Sequence, residues 1–551
     1  MTSATTADAS GALPRPGATG TPHRSRSARF AGTGGLLRLA LRRDRVMVPV
    51  WLLAIGGSFA SVAGSFASLY PTVADRAGLA ASMNANGSLR ALYGPVLGDS
   101  AGALVAWRMA GFGAGLAAVM SLIVVVRHTR EEEESGRQEM LWAAPLGRRA
   151  PLTAALLAAA VADLALAALV VLLLTAAGCG GHGAYALGLA VAGTGLLFAA
   201  VAAVAAQFTG TARAAKGVTA AALGAAFVLK AAGDAASTGG SSALTRLSPF
   251  GWVENTRAYA GERWWVLLLF AAGTAALLTL AFALAARRDL GSALFATRPG
   301  PATGRITTPY GLALRLQRGS LVGWTVSFAV VGLVFGRLAG GAADLVGDNE
   351  KTREIIGRMG GAAGLTDAFL AAMAGMLGMV AALYVVSSAL RPLAEEMGGR
   401  AEPVLVAGAS RTAWACGHLL FAFGGAIAVV GAGGLGLTAG YGHRLPAVLG
   451  AALVQLPAIW LLGGVAVLLY GTAPRIAAAG SWGAAGLCLA LGWIGPAAGL
   501  PQVVLDVSPF THLPKLPGED LRGWALAALT AVAAALVAAG LAALRRRDLR
   551  G

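Results

Sequence analysis

Long runs of apolar residues alternate with short polar segments along most of this chain. A helix needs about 20 apolar residues to cross the roughly 30 Å hydrocarbon core of a bilayer. No run shows the alternation of apolar and polar residues that is typical of a membrane β-barrel. The pattern therefore predicts an all-α polytopic membrane protein with about 12 transmembrane helices, at 47–67, 101–126, 151–176, 185–207, 217–235 and 264–286, and again at 320–340, 365–390, 412–438, 447–471, 477–498 and 522–544.

The polar segment after the second predicted span recurs after the eighth. We call Arg127–Arg149 loop 1 and Arg391–Arg411 loop 2; they align without gaps at an offset of 263. A chain rich in Ala and Gly gives chance matches at those residues, but not a series of matched charges in register, so the sequence indicates an internal duplication. Seven of seventeen consecutive positions are identical: Glu132 with Glu395, Glu133 with Glu396, Gly136 with Gly399, Arg137 with Arg400, Glu139 with Glu402, Ala144 with Ala407 and Arg148 with Arg411.

Further repeats mark the beginning and the end of each half. LALRRDR from Leu39 aligns with LALRLQR from Leu312, SPFGW from Ser248 with SPFTH from Ser508, and RRDLG from Arg287 with RRDLR from Arg546. The opening repeat predicts an amphipathic helix on the membrane surface before each half, which Arg42 and Arg45 would anchor in the first and Arg315 and Arg318 in the second. The predicted domains are a disordered basic tail at 1–34, six-span halves at 35–291 and 309–551, and a linker at 292–308.

Composition and charge agree with this topology. Hydrophobic residues make up 56% of the chain, charged residues 13%, and the mean hydropathy is +0.68. The net charge of +17 would favour nucleic acid in a soluble protein, but placing both termini inside the cell puts 29 of the 43 Lys and Arg residues on the cytoplasmic side, as the positive-inside rule predicts. We therefore expect no nucleic-acid partner. Six spans in each half give a parallel repeat, with a transport pathway between the halves.

Patterns for catalysis and metal binding are missing from the sequence. There is no GxxxxGK[ST] loop, and the nearest segment, GTARAAKGV from Gly210, has Ala215 where a second glycine must let the backbone wrap a phosphate. The histidines and the three cysteines lack metal-ligand spacing, so no metal site is predicted. Ionisable groups inside spans are costly and therefore candidates for function. Asp163, Gln207 and Gln455 could line a polar pathway or could serve contacts between packed helices.

Glycines four residues apart mark places where two helices could approach closely. Gly111 with Gly115 and Gly332 with Gly336 are such pairs, although a chain with 78 glycines also produces them by composition. Both interpretations stay open at this point.

Loops 1 and 2 carry the remaining candidate chemistry. A helical loop 1 would pair Glu133 with Arg137 four residues on, and loop 2 would repeat the pair with Glu396 and Arg400. Solubility alone would be met by charges at any spacing. Both copies keep the same spacing of charges, which favours a docking surface for a cytoplasmic partner. Pro403 is expected to end or kink the second helix early and make the two surfaces unequal. Four residues would share one face of the first helix: Glu132, Gly136, Glu139 and Ala143.

The amphipathic opening, the EE..GR.E...A...R segment between the second and third spans, and the six spans per half resemble the permease subunits of type-2 ABC exporters. The duplicated form is similar to bacterial permeases of antibiotic or polyketide exporters, and the resemblance covers about residues 36–551. It implies a transport permease in the inner (plasma) membrane, not an enzyme. The cargo would be an amphipathic or hydrophobic, drug-like small molecule that no residue identifies.

The resemblance also implies roles for the repeated segments. Loops 1 and 2 would be coupling helices, each docking a separate ATPase subunit that binds ATP and Mg²⁺, so that closure of two ATPases switches access to the pathway. The docking residues would be Glu132, Glu133, Gly136, Arg137 and Glu139 in loop 1 and Glu395, Glu396, Gly399, Arg400 and Glu402 in loop 2. The extracellular exit would be closed by Ser248, Pro249 and Phe250 and by Ser508, Pro509 and Phe510.

Two other classes of protein remain open. A twelve-span secondary transporter driven by an ion gradient also has two parallel halves, but the paired amphipathic openings and the lack of repeated acidic residues within spans argue against it. A membrane-embedded lipid-linked transferase would need a cluster of Asp, His or Arg at one membrane face, and the one dense acidic cluster lies in loop 1.

Overall fold

The computed structural model describes residues 29–85, 90, 93–137, 140, 145–237, 242–288, 304, 306–339, 365–497, 501–521 and 523–547, and these contain helices and no strand. Most of the predicted tail and linker, and Glu139 of loop 1, lie outside this part of the chain. Eleven of the described helices are long and apolar enough to cross a membrane. The prediction of an all-α polytopic membrane protein is confirmed.

Two compact units make up the chain, one formed by 1–76 and 96–297 and the other by 77–95 and 298–551. Helix α3 (Val73–Ala85) is divided between them. The first unit contains α1 (Thr33–Arg43), α2 (Met47–Leu69), α4 (Ala101–Arg127), α5 (Arg130–Glu134), α6 (Ala150–Ala176), α7 (His182–Phe208), α8 (Ala212–Ala236), α9 (Ala243–Leu247), α10 (Pro249–Asn255) and α11 (Val266–Arg287).

The second unit also consists of long helices joined by short ones. It contains α12 (Pro309–Ala339), α13 (Leu365–Ala389), α14 (Arg391–Met397), α15 (Ala401–Val406), α16 (Arg411–Tyr441), α17 (Leu445–Leu453), α18 (Leu456–Thr472), α19 (Pro474–Ala497), α20 (Gln502–Leu505), a 3₁₀ turn at Pro509–His512, and α21 (Gly523–Arg546).

Every predicted span corresponds to helix in the structure. The boundaries shift by up to about five residues, except that α12 begins at Pro309, well before the predicted start at 320. Helices α17 and α18 together form the tenth predicted span, which is interrupted at Val454 and Gln455. Helix α19, which is 24 residues long, occupies the place of the eleventh predicted span. Eleven candidate spans are counted within the described residues, where about twelve were predicted for the whole chain.

Small residues let the helices of each unit pack closely. Helix α7 is the most deeply buried of the eleven, and a side chain at Gly188 or Gly195 would overlap α6. In the second unit, a side chain at Gly332 or Gly336 of α12 would overlap the backbone of α16. The prediction of close approach is thus confirmed at this pair, where two backbones meet with nothing between them.

The other predicted glycine pair does not make such a contact. A side chain at Gly111 would meet no described atom, and one at Gly115 would make an ordinary contact with Phe250. At this pair the spacing reflects the glycine content of the chain.

A separate interfacial helix precedes the first half only. Helix α1 ends at Arg43, and the buried carboxylate of Asp44 forms an ion pair with Arg127 at 2.9 Å and contacts His128 at 2.6 Å. Uncharged Gln317 stands at the position that aligns with Asp44, and α12 runs unbroken through it. The predicted second interfacial helix is therefore wrong as a separate element, because no buried ion pair holds a break there.

The arginines predicted to anchor the two interfacial helices lie in different secondary structure for the same reason. Arg42 and Arg45 are exposed at the end of α1 and just beyond it, and Arg315 and Arg318 are exposed on the first turns of α12.

Candidate functional site

Loop 1 begins with a short helix that stops before its arginine. Helix α5 ends at Glu134, and Gly136 adopts a left-handed conformation with φ +69°, which favours glycine because a Cβ would clash with its own backbone. The turn brings Arg137 beside Glu132, with Nε 3.0 Å from Oε2 and Nη2 3.2 Å from Oε1. The predicted pair of Glu133 with Arg137 is wrong because the helix does not continue through Gly136.

Loop 2 repeats this conformation. Helix α14 ends at Met397, Gly399 has φ +66°, and Arg400 Nε donates to Glu395 Oε2 at 2.7 Å. The predicted pair of Glu396 with Arg400 is wrong for the same reason.

The break in loop 2 precedes its proline. Pro403 lies in the first turn of α15, where a missing N–H costs nothing. The interruption therefore comes from the glycine turn that both loops share. The predicted single helical face of loop 1 is also interrupted at Gly136, and Glu139 and Ala143 lie outside the described residues.

Each of the four glutamates of the acidic run of loop 1, Glu131–Glu134, has a partner. Glu132 forms an ion pair with Arg43 at the end of α1, in addition to its pair with Arg137. The remaining contacts join Glu131 to Lys216 at 2.5 Å, Glu133 to Arg130 at 2.5 Å, and Glu134 to the backbone N–H of Ala212 at 3.1 Å. The run thus ties loop 1 to α1 and to the start of α8.

The second repeated glutamate binds the arginine that follows the last helix of its own unit. Arg288 forms an ion pair with Glu133, and Arg547 Nη2 lies 2.8 Å from Glu396 Oε2. A second arginine, from the loop, donates to the backbone carbonyl of the paired arginine in each unit. We call the ion pair together with this second arginine an arginine clasp. In the first unit Arg148 Nη2 donates to Arg288 O at 2.7 Å.

The backbone contact of the clasp recurs in the second unit. Arg411 Nη1 donates to Arg547 O at the same distance of 2.7 Å. The RRD repeat and the arginine that ends the loop repeat were both visible in the sequence, but the contact between them was not predicted. The signal that could have found it is that two adjacent glutamates in each loop recur together with two adjacent arginines at the end of each unit.

Burial divides the predicted docking residues into two groups. Glu132, Glu395 and Glu396 are buried, and the side chain of Glu133 is 11% exposed. Arg137 and Arg400 keep 47% and 61% of their side chains exposed. Other exposed side chains of the loops include Met140, Met397, Glu402 and Val406. The buried glutamates hold the loops, and the two arginines lie at the surface.

The SPF segments lie against the spans of their own units. Ser248 is buried, caps α10 by accepting from the N–H of Phe250 at 3.2 Å, and donates to Ala226 O at 2.6 Å. Phe250 packs edge-on against Phe227. In the second unit Ser508 and Pro509 are buried and Phe510 is partly buried at the 3₁₀ turn. The fold therefore buries both segments, with Pro249 and Pro509 at the first turns.

The three candidate pathway residues are enclosed by packed helices. Asp163 is fully buried and accepts from Ser121 Oγ at 2.7 Å across the α4 and α6 contact. Gln207 donates to Ala203 O in its own helix at 3.0 Å. Gln455 is buried at the break before α18 and packs against Gly378. In this conformation Asp163 and Gln455 contact neighbouring helices, and Gln207 bonds within its own helix.

A buried charged triad was missed from the sequence because its members have no motif spacing. Lys230 Nζ lies 2.5 Å from Asp234 Oδ2 and 3.1 Å from Glu254 Oε2. Thr245 Oγ1 donates to Asp234 Oδ1 at 3.0 Å. Burial, opposed by Lys230 and reinforced by Asp234, raises the pKa of Glu254 to about 8. The triad joins α8 to α9 and α10.

The membrane-length helices, with two loops that repeat one ion-pair geometry, define a polytopic membrane protein of the permease class. The family model for the C-terminal domain of the multidrug efflux system permease Rv1217c matches residues 34–287 and 306–545. The chain belongs to this family of multidrug efflux permeases, and so to the transport proteins rather than the enzymes.

A curated relative agrees over almost the whole length of both chains. The multidrug efflux system permease protein Rv1217c of Mycobacterium tuberculosis (strain ATCC 25618 / H37Rv) is 46% identical over 546 residues, which cover 97% of this chain and 98% of the relative.

Proposed function

We propose that this chain is the permease of an ABC exporter, whose two loops receive separate ATPase subunits that bind ATP and Mg²⁺. The observation that carries the proposal is the repeated geometry: in each unit a left-handed glycine turns the loop, the first glutamate pairs with the loop arginine, and the second pairs with the arginine after the last span. A loop that only needed solubility would not have to keep this geometry.

The contact with the ATPases is assigned to the exposed side of the loops. Arg137 and Arg400 extend from the glycine turns with their guanidinium groups partly neutralised by one carboxylate each. In loop 2 exposed Met397, Glu402 and Val406 surround Arg400 in sequence. An apolar surface with a central arginine is the composition that protein interfaces favour.

Force from the ATPases would reach the spans through the arginine clasps. A displacement of loop 1 must move Arg288 or break its pair with Glu133, and loop 2 is joined in the same way to Arg547. Side chains in such partly buried pairs are held more firmly than surface pairs. The last helix of each unit would therefore move with its loop, and the two halves, 35–291 and 309–551, would alternate access to a pathway.

The exported cargo is proposed to be a drug-like amphipathic or hydrophobic molecule, as the name of the relative indicates for that protein. The protein is placed in the plasma membrane with both loops and both termini in the cytoplasm, which follows from the distribution of Lys and Arg. The SPF segments would then lie at the extracellular face, where they would help to close the exit.

The docking proposal is tested by reversing the exposed arginines. Arg137→Glu together with Arg400→Glu should abolish copurification of an ATPase that carries Walker motifs, and should stop ATP-dependent uptake of a fluorescent drug into inverted vesicles. Arg475→Glu, at an exposed arginine outside the loops, is the matched control. Normal copurification and normal uptake in the double variant would reject the assignment.

An ion-gradient-driven transporter remains the second candidate because acidic groups are buried in the first unit. Asp163 is fully buried in a span, and Asp234 is buried beside Lys230. Such groups are functional candidates in membranes. If a protonophore stops export while ATP depletion at a maintained gradient does not, this alternative replaces the ABC proposal.

A further inference from the structure

The second unit contains a half-open cavity between the segment that follows its SPF motif and the first turns of α21. Its volume is about 370 Å³, which is at the lower end of the range for small-molecule pockets. The loop clasp of this unit lies at Arg547, at the opposite end of α21. The cavity is therefore remote from the surface assigned to the ATPase. It is lined by Thr511, His512, Leu513, Pro514, Lys515, Glu519, Trp524, Ala525, Ala528 and Leu529.

The first unit has two aromatic residues at the positions that align with two of the lining residues. Trp252, the last residue of SPFGW, packs edge-on against Phe270 of α11 with ring centroids 5.3 Å apart. Its indole N–H donates to Arg246 O at 2.7 Å, so the ring is fixed in place. An aromatic pair of this kind occupies a large volume and excludes other molecules from it.

The aligned residues of the second unit are smaller, and both line the cavity. His512 stands at the place of Trp252 in the SPF repeat, and Leu529 aligns with Phe270 when the two RRD motifs are matched. His512 Nε2 contacts Asp506 O at 2.9 Å, which turns one side of its ring toward the backbone. The second unit therefore has smaller side chains at two positions where the first unit has an aromatic pair.

The walls of the cavity differ in chemistry. Leu513, Pro514 and Ala525 are buried and form an apolar wall together with Leu529, while exposed Trp524 lies at the mouth.

Another part of the cavity wall is polar and contains one basic and one acidic residue, Lys515 and Glu519. The N–H of Lys515 donates to Glu519 Oε2 at 3.2 Å. Burial lowers the pKa of Lys515, an effect that Glu519 opposes. One cation and one anion side by side offer hydrogen bonds without a net charge, so this wall does not select for an anion or a cation.

We infer that this cavity binds an amphipathic molecule with an apolar body against α21 and an uncharged hydrogen-bonding end at Lys515 and Glu519. The site is specific to the second unit. Either transported cargo or a membrane lipid could supply this chemistry. Binding at the site does not depend on an ATPase, so it can be measured even if the proposed ABC partnership fails.

The test uses a photoreactive probe, trifluoromethyl-diazirinyl benzyl alcohol, which is a neutral aromatic alcohol of suitable size. The full chain is irradiated with the probe in detergent, and adducts are located by mass spectrometry. The site predicts saturable labelling within 511–529 that excess unlabelled benzyl alcohol removes. His512→Trp with Leu529→Phe, which restores the aromatic pair of the first unit, should lower this labelling about tenfold.

Two further variants keep the result interpretable if the double replacement fails to fold. Ala528→Phe narrows the cavity from its exposed edge, and should also reduce labelling. Trp252→His with Phe270→Leu should open the first unit and create labelling near position 252, where no labelling is expected in the wild type. Labelling that does not saturate, or that all of these changes leave unaltered, would overturn the inference.

The source of the ligand is distinguished by competition. Loss of labelling on addition of phospholipid vesicles identifies a lipid, and loss on addition of an exported drug identifies cargo. Saturable labelling that neither one displaces would contradict an amphipathic ligand.

Discussion

Arg547 Nη2 lies 2.8 Å from Glu396 Oε2, and only 5% of the Glu396 side chain is exposed. The same glutamate accepts from the hydroxyl of Tyr470 at 2.9 Å, and Arg547 lies over the Tyr470 ring. One arginine therefore neutralises a buried carboxylate, covers an aromatic ring and links loop 2 to the end of the last helix.

Removing this arginine should be far more harmful than removing the exposed one. Arg547→Gln removes the positive charge that lies 2.8 Å from the buried Glu396 carboxylate, and breaking a buried pair in this way costs about 3–5 kcal/mol. Arg400→Gln, whose side chain is 61% exposed, should cost no more than about 1 kcal/mol. Apparent melting temperatures of the purified proteins compare the two. Equal shifts would show that the clasp has no special role in stability.

The glycine turn of loop 2 gives a test that does not touch any charge. Gly399 has φ +66°, and a Cβ there would meet no described atom, so only the backbone conformation opposes a side chain. Gly399→Ala should cost about 1–2 kcal/mol and should release Arg400 from Glu395. Gly399→Asn should be much milder, because asparagine tolerates this conformation.

The readout for both variants is the drug-uptake rate in inverted vesicles, with melting temperature as the control for folding. The alanine variant should show slower uptake than the asparagine variant. If the two are equally active, the left-handed turn is not needed to position the loop.

The sequence predicted the spans because backbone polar groups in a bilayer must be satisfied within each helix, which leaves a strong hydropathy signal. It predicted the repeated loops because charges in register are rare by chance. It paired Glu133 with Arg137 wrongly, since a continuous helix was assumed through Gly136. The left-handed φ of that glycine decides the partner, and helical spacing contains no information about it.

Contacts between segments that are distant along the chain could not be predicted from the sequence either. Lys230 and Glu254 meet because α10 folds back against α8, and no spacing rule connects them. The second interfacial helix was predicted from similarity to the first. The change from Asp44 to Gln317 removes the buried ion pair found at the break in the first unit.

Close packing of α12 against α16 provides a matched pair of glycine substitutions on one helix. A side chain at Gly336 would overlap the backbone at Leu437, whereas one at Gly323 would meet nothing described within 4 Å. Gly336→Ala should destabilise the protein by about 1–3 kcal/mol through overpacking. Gly323→Ala should leave stability equal or raise it by about 0.5–1 kcal/mol, because alanine is the better helix former. Melting temperatures that fall equally would contradict the backbone contact between these helices.

The buried triad predicts how stability depends on pH. The pKa of Glu254 is raised from 4.5 to about 8 by burial, against the attraction of Lys230 and with the repulsion of Asp234. Between these two pKa values the folded state holds a proton that the unfolded state has lost. Stability from this group is therefore complete below about pH 4.5 and is lost as the pH rises through about 8.

Glu254→Gln removes the titrating group and keeps the shape of the side chain. The wild-type melting temperature should fall between about pH 5 and about pH 9, and the variant should lose most of that slope. Asp520→Asn, at an exposed carboxylate outside the triad, should retain the wild-type slope. The difference between the two variants isolates the buried carboxyl from the other titrating groups of the protein. An unchanged slope in Glu254→Gln would mean that Glu254 stays ionised beside Lys230 over the whole range, and that the three side chains form a permanently charged cluster.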